Sequence, residues 1–285
     1  MGLYLRPRTI EEAVAALAAH ELTVLAGGTD FYPARVGRAL DDDVLDVTAI
    51  DGLRGITVAG EHWRIGAATT WRDIIDADLP PLFDGLKLAA REVGGAQIQN
   101  TGTIAGNLCN ASPAADGAPV LLTLDAAVVL QRAGASRTVP VGDFIRGNRR
   151  TALQAGEIMT AITVPQRTTR IASHFLKLGA RRYLVISIAM AAGAIEVDDA
   201  GRITAARLAI GACSEVARRL PDLEQALIGL SIDSALAQRV RAAHFAPLAP
   251  VDDVRGSAGY RIDAAETLTR RLLSVLAGRI TGAPA

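Results

Sequence analysis

Residues 97–116 read QIQNTGTIAGNLCNASPAAD, a run in which Gly102, Ala105, Gly106 and Ala111 remove bulk from the backbone. In the same run Asn100, Thr101, Thr103, Asn107, Asn110 and Ser112 supply short hydrogen-bonding groups. Backbone stripped of side chains lets amides come close to a ligand, and neighbouring amides in a turn form a concave site for an anion. A second such stretch lies at Ala26, Gly27, Gly28, Thr29 and Asp30, where an apolar strand breaks into a glycine pair. Taken singly, each reads as an ordinary tight turn, because Gly-Gly and Asn/Ser clusters usually are. Together they point to a ligand carrying more than one phosphate. Neither stretch is the G-x-G-x-x-G dinucleotide fingerprint or a G-x-x-x-x-G-K-[ST] P-loop.

The elements that must position these two stretches follow from periodicity and punctuation. Thr9 and Glu12 have the spacing of a capping box, so a first helix is expected from there to about His20. A strand over 22–26 then delivers the Gly27 and Gly28 amides at its end, in a compact β-α-β opening. Strands are expected at 44–47 and 63–67, with a weaker one at 56–58, and Thr70 and Asp73 open another capped helix. Pro80 and Pro81 break that helix, 82–93 forms the next, and Gly94-Gly95 ends it, so that 97–116 is a loop feeding a buried helix at 118–124. Beyond it a hairpin is expected over 126–131 and 137–141, and a strand over 157–164 closed by Pro165; a first domain ends near Arg170. Longer strands follow at 173–178, 185–197 and 203–210, the last two joined by the hairpin signal Asp198-Asp199-Ala200-Gly201. Helices over 222–230, 232–245 and 263–276 complete a smaller α+β domain.

With 285 residues, the chain is long enough for about two domains at ~150 residues each. Thirty basic and thirty acidic side chains cancel, which removes any bulk electrostatic case for binding nucleic acid or an anionic membrane surface. Half the residues are hydrophobic but only 4% are aromatic, so the cores are built of Ala, Val, Leu and Ile. The apolar run over 183–195 is short of the ~20 residues a membrane span needs and reads as a buried strand. MGLYLRPRTIEEA has no apolar core of a signal peptide, so a cytoplasmic location is expected. Cys109 and Cys213 are too few for a disulfide framework or an iron–sulfur cluster, and the four histidines lack metal-ligand spacing. Cys109 reads as a small buried hydrophobe.

AGGTD at 26–30 followed by QIxNTGTIxGNLxxASPAxD at 97–116 resembles the flavin-binding subunit of the molybdenum hydroxylases, the family of xanthine and carbon monoxide dehydrogenases and of enzymes acting on aldehydes and N-heterocycles. The likeness runs on through IGAATT at 65–70, 141–149, Gly156-Glu157-Ile158 and 175–182, and so covers nearly the whole chain. It implies an α+β fold in which residues 1–171 form an FAD-binding domain of the vanillyl-alcohol-oxidase (PCMH) type, itself of two α+β subdomains. A C-terminal domain of the carbon monoxide dehydrogenase flavoprotein type would occupy 172–285.

By the same resemblance the cofactor is FAD. Ala26, Gly27, Gly28, Thr29 and Asp30 with Thr103, Ile104, Ala105, Gly106 and Asn107 would hold its pyrophosphate, with Asn110 alongside and Asp116 on a sugar hydroxyl or nearby polar atom. Lys177 matches a family lysine near the flavin ring, where a cation stabilises the reduced, negatively charged form. No catalytic acid, base or metal ligand is expected in this chain. The molybdenum cofactor and [2Fe-2S] clusters would belong to a large and a small partner subunit, with electrons passing from the clusters through FAD to an external acceptor. Two positions depart from the family pattern: Ala105 stands where T-I-G-G-N has its first glycine, and Gln99 where an arginine is frequent. Two alternatives stay open, a stand-alone flavin oxidoreductase and an interaction subunit that binds no flavin.

Overall fold

A computed structural model of the chain describes residues 2–37 and 39–282; the outermost ends of the two expected domain ranges, residue 1 and residues 283–285, lie outside the described residues. The chain opens with β1 (Tyr4–Leu5), α1 (Ile10–Ala19), β2 (Thr23–Leu25) and β3 (Val44–Asp46), with β3 lying between and parallel to the other two strands. α1 starts where the sequence says it should. The Thr9 hydroxyl accepts from the Glu12 amide and the Glu12 carboxylate accepts from the Thr9 amide, which satisfies two otherwise orphaned donors.

Next come β4 (Ile56–Ala59), β5 (His62–Gly66) and α2 (Trp71–Asp76), the helix held by a second capping box between Thr70 and Asp73. A 3-10 turn at Pro81–Phe83 leads into α3 (Asp84–Glu92). The stretch expected to be a loop is largely helical: α4 (Ala96–Thr101) and α5 (Ile104–Asn110) precede α6 (Gly117–Thr123). Helices this short do not hold by themselves in water. Here Thr103 Oγ1 accepts from the Gly106 amide at 3.0 Å, and Ile104, Ala105 and Leu108 are buried against the core, so capping and packing make up for poor local propensity.

The chain continues through β6 (Ala127–Arg132), β7 (Ala135–Pro140), α7 (Val141–Phe144), β8 (Ile145–Gly147), β9 (Arg150–Thr151) and β10 (Ile158–Pro165). A five-stranded antiparallel sheet in the order β4-β5-β10-β6-β7 results, and its core runs from Ile65 and Val128 through Trp71, Phe83 and Leu86 to Ile104 and Leu108.

β11 (Arg170–Leu178), β12 (Ala189–Val197), β13 (Ile203–Gly211) and β14 (Arg218–Arg219) make a four-stranded antiparallel sheet, followed by α8 (Pro221–Leu227) and α9 (Ala258–Thr281). β12 is buried at every position. Its Met190 and Ala192 face the first core and its Ala189 and Ala191 the second, so a strand covered on both faces reads as continuous apolar sequence rather than as an alternation.

Two further expectations are corrected here. β12 begins at Ala189, not 185, because pairing with β11 starts at Leu178 opposite Ala189 and the residues between them form the connection. Residues 232–245 are not one helix but 3-10 turns at Ser234–Arg239 and Ala242–Phe245, with extended backbone at Val240 and Arg241. In an unbroken helix turning about 100° per residue, Leu236 and Phe245 would lie on opposite faces. Both are buried in the second core, and the break makes that compatible.

The two halves are joined by a network of charged groups, part buried and part exposed. Arg207 on β13 donates from Nε to the Thr123 carbonyl at 2.9 Å and from Nη2 to Glu196, while Asp125 receives Arg167 at 2.7 Å and Arg219 at 3.1 Å. Burial alone would raise the Glu196 carboxyl, but hydrogen bonds from Thr169 and Arg207 and the charges of Arg207 and Arg167 outweigh it and hold the group below its ordinary value of 4.5. The sign follows: a depressed carboxylate adds stability above its unfolded value and loses it as pH falls through the folded one. Arg207→Ala should therefore cost about 2 kcal/mol at neutral pH, because it leaves buried Glu196 with only the Thr169 hydroxyl and the more distant Arg167. In urea titrations the gap to wild type should narrow from pH 7 towards pH 3; a constant gap would contradict the assignment.

Candidate cofactor-binding site

β2 ends at Leu25 and hands the chain to Ala26-Gly27-Gly28, which turns back towards the link between α4 and α5. A Cβ placed on Gly27 would lie 2.0 Å from the Thr101 carbonyl oxygen, closer than any side chain permits. Gly28 has φ +71°, the left-handed region, and a Cβ there would meet the Tyr32 ring at 2.6 Å. Glycine is thus demanded twice, once for approach and once for conformation. On the other side the α4–α5 link is pinned to α2: the Trp71 amide donates to the Gly102 carbonyl at 3.1 Å, and the Ile104 amide to the Thr69 carbonyl at 3.0 Å.

Between these pieces opens a cavity of about 400 Å³, within the range of cofactor sites. Of the residues singled out by sequence, Ala26, Gly27, Gly28, Thr29, Asp30, Thr103, Ala105, Gly106, Asn107 and Asn110 line it, and so does Cys109. Ile104 does not; it is fully buried as the anchor of α5. Asp116 and Lys177 do not line it either, but the fold brings them to each other. Lys177 Nζ donates to Asp116 Oδ2 at 2.9 Å and to the Glu92 carbonyl at 3.2 Å, and the Ser187 hydroxyl donates to Asp116 Oδ1 at 2.8 Å. Burial pushes the Asp116 carboxyl up from its ordinary value, against the pull of Lys177 and Ser187.

Sequence reading passed over Trp71, Ile98, Leu153 and Met159, which form apolar wall. Single large apolar residues carry no signal that separates cavity wall from core. Glu157 also lines the cavity, but its carboxylate is taken by Arg137 at 2.7 and 2.8 Å and is held below its ordinary value by that bond. The Cys109 thiol is pushed up to about 12 by burial and stays neutral, which excludes it as a nucleophile at neutral pH.

The lining fits a dinucleotide. Asn107 lines the cavity, and its Oδ1 is buried beside Gly117 without a hydrogen-bond partner among the described residues. The two glycines leave bare backbone along one side of the cavity. Ala105, the departure from the family pattern, sits inside α5 and is not among the positive-φ residues, so an alanine suits the backbone conformation there. Gln99 donates to the Arg91 carbonyl at 3.1 Å and is buried, so it serves the α3–α4 junction rather than the cavity.

Lys177→Met should destabilise the chain by about 3 kcal/mol in urea unfolding, because it strands Asp116 in a buried place, and adding Asp116→Leu should recover part of that loss. Strictly additive losses would show that the two side chains are not coupled.

Comparison with known proteins agrees with this geometry. Residues 1–167 match the family model described as FAD binding domain in molybdopterin dehydrogenase, and residues 174–276 match the CO dehydrogenase flavoprotein C-terminal domain. The chain is 35% identical over 234 residues to the nicotinate dehydrogenase FAD-subunit of Eubacterium barkeri, covering 79% of each. It is 30% identical over 280 residues to the glyceraldehyde dehydrogenase medium chain of Sulfolobus acidocaldarius, covering 96% of this chain and 98% of the other. A chain of carbon monoxide dehydrogenase from Hydrogenophaga pseudoflava superposes with a TM-score of 0.86 at 28% identity, over 98% of both. The paired glycine and asparagine walls around one cavity and the match across both halves lead to one conclusion: the chain belongs to the molybdopterin dehydrogenase FAD-binding domain family, with a carbon monoxide dehydrogenase flavoprotein C-terminal domain attached.

Proposed function

We propose that this chain is the FAD-binding medium subunit of a heteromeric molybdenum-containing hydroxylase or dehydrogenase, built as an FAD-binding domain over 1–171 and a C-terminal domain over 172–285 and working in the cytoplasm. The observation that carries the reading is the cavity in which two sequence-distant stretches, 26–30 and 103–110, meet, with bare glycine backbone along one side. Gly27 and Gly28 supply bare backbone for the pyrophosphate, Thr29 and Asp30 flank it, and Thr103, Ala105, Gly106, Asn107 and Asn110 hold the opposite side, with Ile104 anchoring their helix. FAD held there would accept electrons from iron–sulfur clusters of a small partner subunit, fed by a large molybdenum-cofactor subunit, and pass them to an external acceptor.

The chain's own contribution is to bind, orient and tune. Lys177 and Asp116 meet at the Glu92 carbonyl, next in sequence to Val93 of the cavity wall. By its match to the family lysine near the flavin ring, Lys177 is the group assigned to tune the flavin. Of the titratable side chains in the cavity, Cys109 is a neutral thiol and Glu157 is engaged by Arg137. Among the described residues, no helix is long and apolar enough to cross a membrane, and no group of three His, Cys, Asp or Glu side chains converges as a metal site.

Gly28→Val should abolish FAD retention through desalting, read as cofactor released on denaturation. Asn107→Ala adds no bulk and should weaken binding about tenfold, the worth of one buried hydrogen bond. Full FAD occupancy in both variants would remove these residues from the site. The flavin-loaded chain alone should leave aldehydes and N-heterocycles unoxidised; turnover by the isolated chain would favour the stand-alone oxidoreductase instead.

A further inference from the structure

Asn107 and Asn110 are three residues apart on α5, so they share a helix face, and both line the cavity. They are not equivalent. Asn107 Oδ1 is buried and without a partner, whereas Asn110 Oδ1 accepts from Nη1 of Arg149, at the tip of the β8–β9 hairpin. A guanidinium can only donate, so its presence decides which end of the Asn110 amide faces it. What Asn110 has left for a ligand is its NH2 group. Asn110 is thereby committed as a donor.

Arg149 is itself held in place. Its backbone lies at φ +58°, and its amide donates to the carbonyl of Ala111, the left-handed residue that ends α5, at 3.0 Å. From the second half of the chain, Glu215 Oε1 accepts from the Asn148 amide at 3.1 Å and from Arg150 Nη2 at 3.0 Å. Gly147 leaves room for that contact, since a Cβ there would lie 2.6 Å from Glu215 Oε1. The hairpin is therefore fixed on both sides of Arg149 before its side chain reaches Asn110. A charged donor on an amide oxygen also polarises the amide and strengthens the hydrogen bonds its NH2 group gives.

We propose that Arg149 is a positioning residue for the cofactor: it locks the Asn110 amide as a donor to an anionic or carbonyl oxygen of the bound dinucleotide. The proposal rests on the FAD reading above. Because the backbone bond from Arg149 to Ala111 survives any change of side chain, the role of the side chain is separable from that of the fold.

The test is FAD affinity of the full chain, by fluorescence titration, in wild type, Arg149→Met, Arg149→Lys, Asn110→Ala and the double variant of Arg149→Met with Asn110→Ala. Arg149→Met should weaken FAD binding about tenfold. Arg149→Lys should recover most of that loss, and the double variant should bind no worse than Asn110→Ala alone. Unfolding midpoints of the single variants should stay close to wild type. Unchanged affinity in Arg149→Met overturns the proposal, as does an equal loss whether or not Asn110 is present, which would mean that Arg149 acts through its own charge or through the fold. Wild-type chain that binds no FAD would overturn the reading beneath it, a different outcome from either.

Discussion

The Gly27 backbone and the Thr101 carbonyl approach each other more closely than any side chain allows, and the cavity exists because of that contact. It brings the end of β2 against the α4–α5 link, two pieces more than seventy residues apart in sequence. Everything else on that side locks the contact in place: the Trp71 amide on the Gly102 carbonyl, the Ile104 amide on the Thr69 carbonyl and the Thr103 cap on α5. With the backbones fixed so tightly, polar groups on α5 can face an open space without collapsing into it. Asn107 and Asn110 line that space from α5.

The second half of the chain works from behind this arrangement. β12 is buried on both faces and belongs to both cores, so the two halves cannot part without exposing it. Polar ties cross the same boundary at chosen places: Lys177 and Ser187 on Asp116, Arg207 on the Thr123 carbonyl, and Glu215 on the β8–β9 hairpin. Exposed pairs such as Glu215 with Arg150 are worth little as stabilisers. Their value here is geometric: Glu215 holds the hairpin from which Arg149 reaches Asn110 of the cavity wall.

Local chemistry was legible wherever the sequence alone determined it. The Thr9–Glu12 and Thr70–Asp73 capping boxes, the hairpin across Ala133-Gly134, and the strand closed by Pro165 depend on neighbours in sequence, and each appears in the fold. The glycine pair was legible too, since Gly28 needs a left-handed backbone whatever surrounds it. What stayed hidden was tertiary. Residues 97–116 look like loop because Gly, Asn, Thr and Ser are weak helix formers, and it takes the Thr103 cap with burial of Ile104 and Leu108 to make α5, and the burial of Gln99 to seat α4. The break at Val240 and Arg241 follows from which side chains the second core takes in, not from any helix-stopping residue. The pairing of Lys177 with Asp116, sixty-one residues apart, and the reach of Arg149 to Asn110 have no signature in spacing.

The most direct test is the visible absorption spectrum of the purified chain before and after incubation with FAD and desalting, with chromatographic identification of the released cofactor. Stoichiometric FAD that survives desalting is the result expected if Ala26 to Asp30 and Thr103 to Asn110 form one cofactor site. A folded chain that retains no flavin, alone or purified with its partner subunits, would contradict it and leave the cavity as architecture in an interaction subunit.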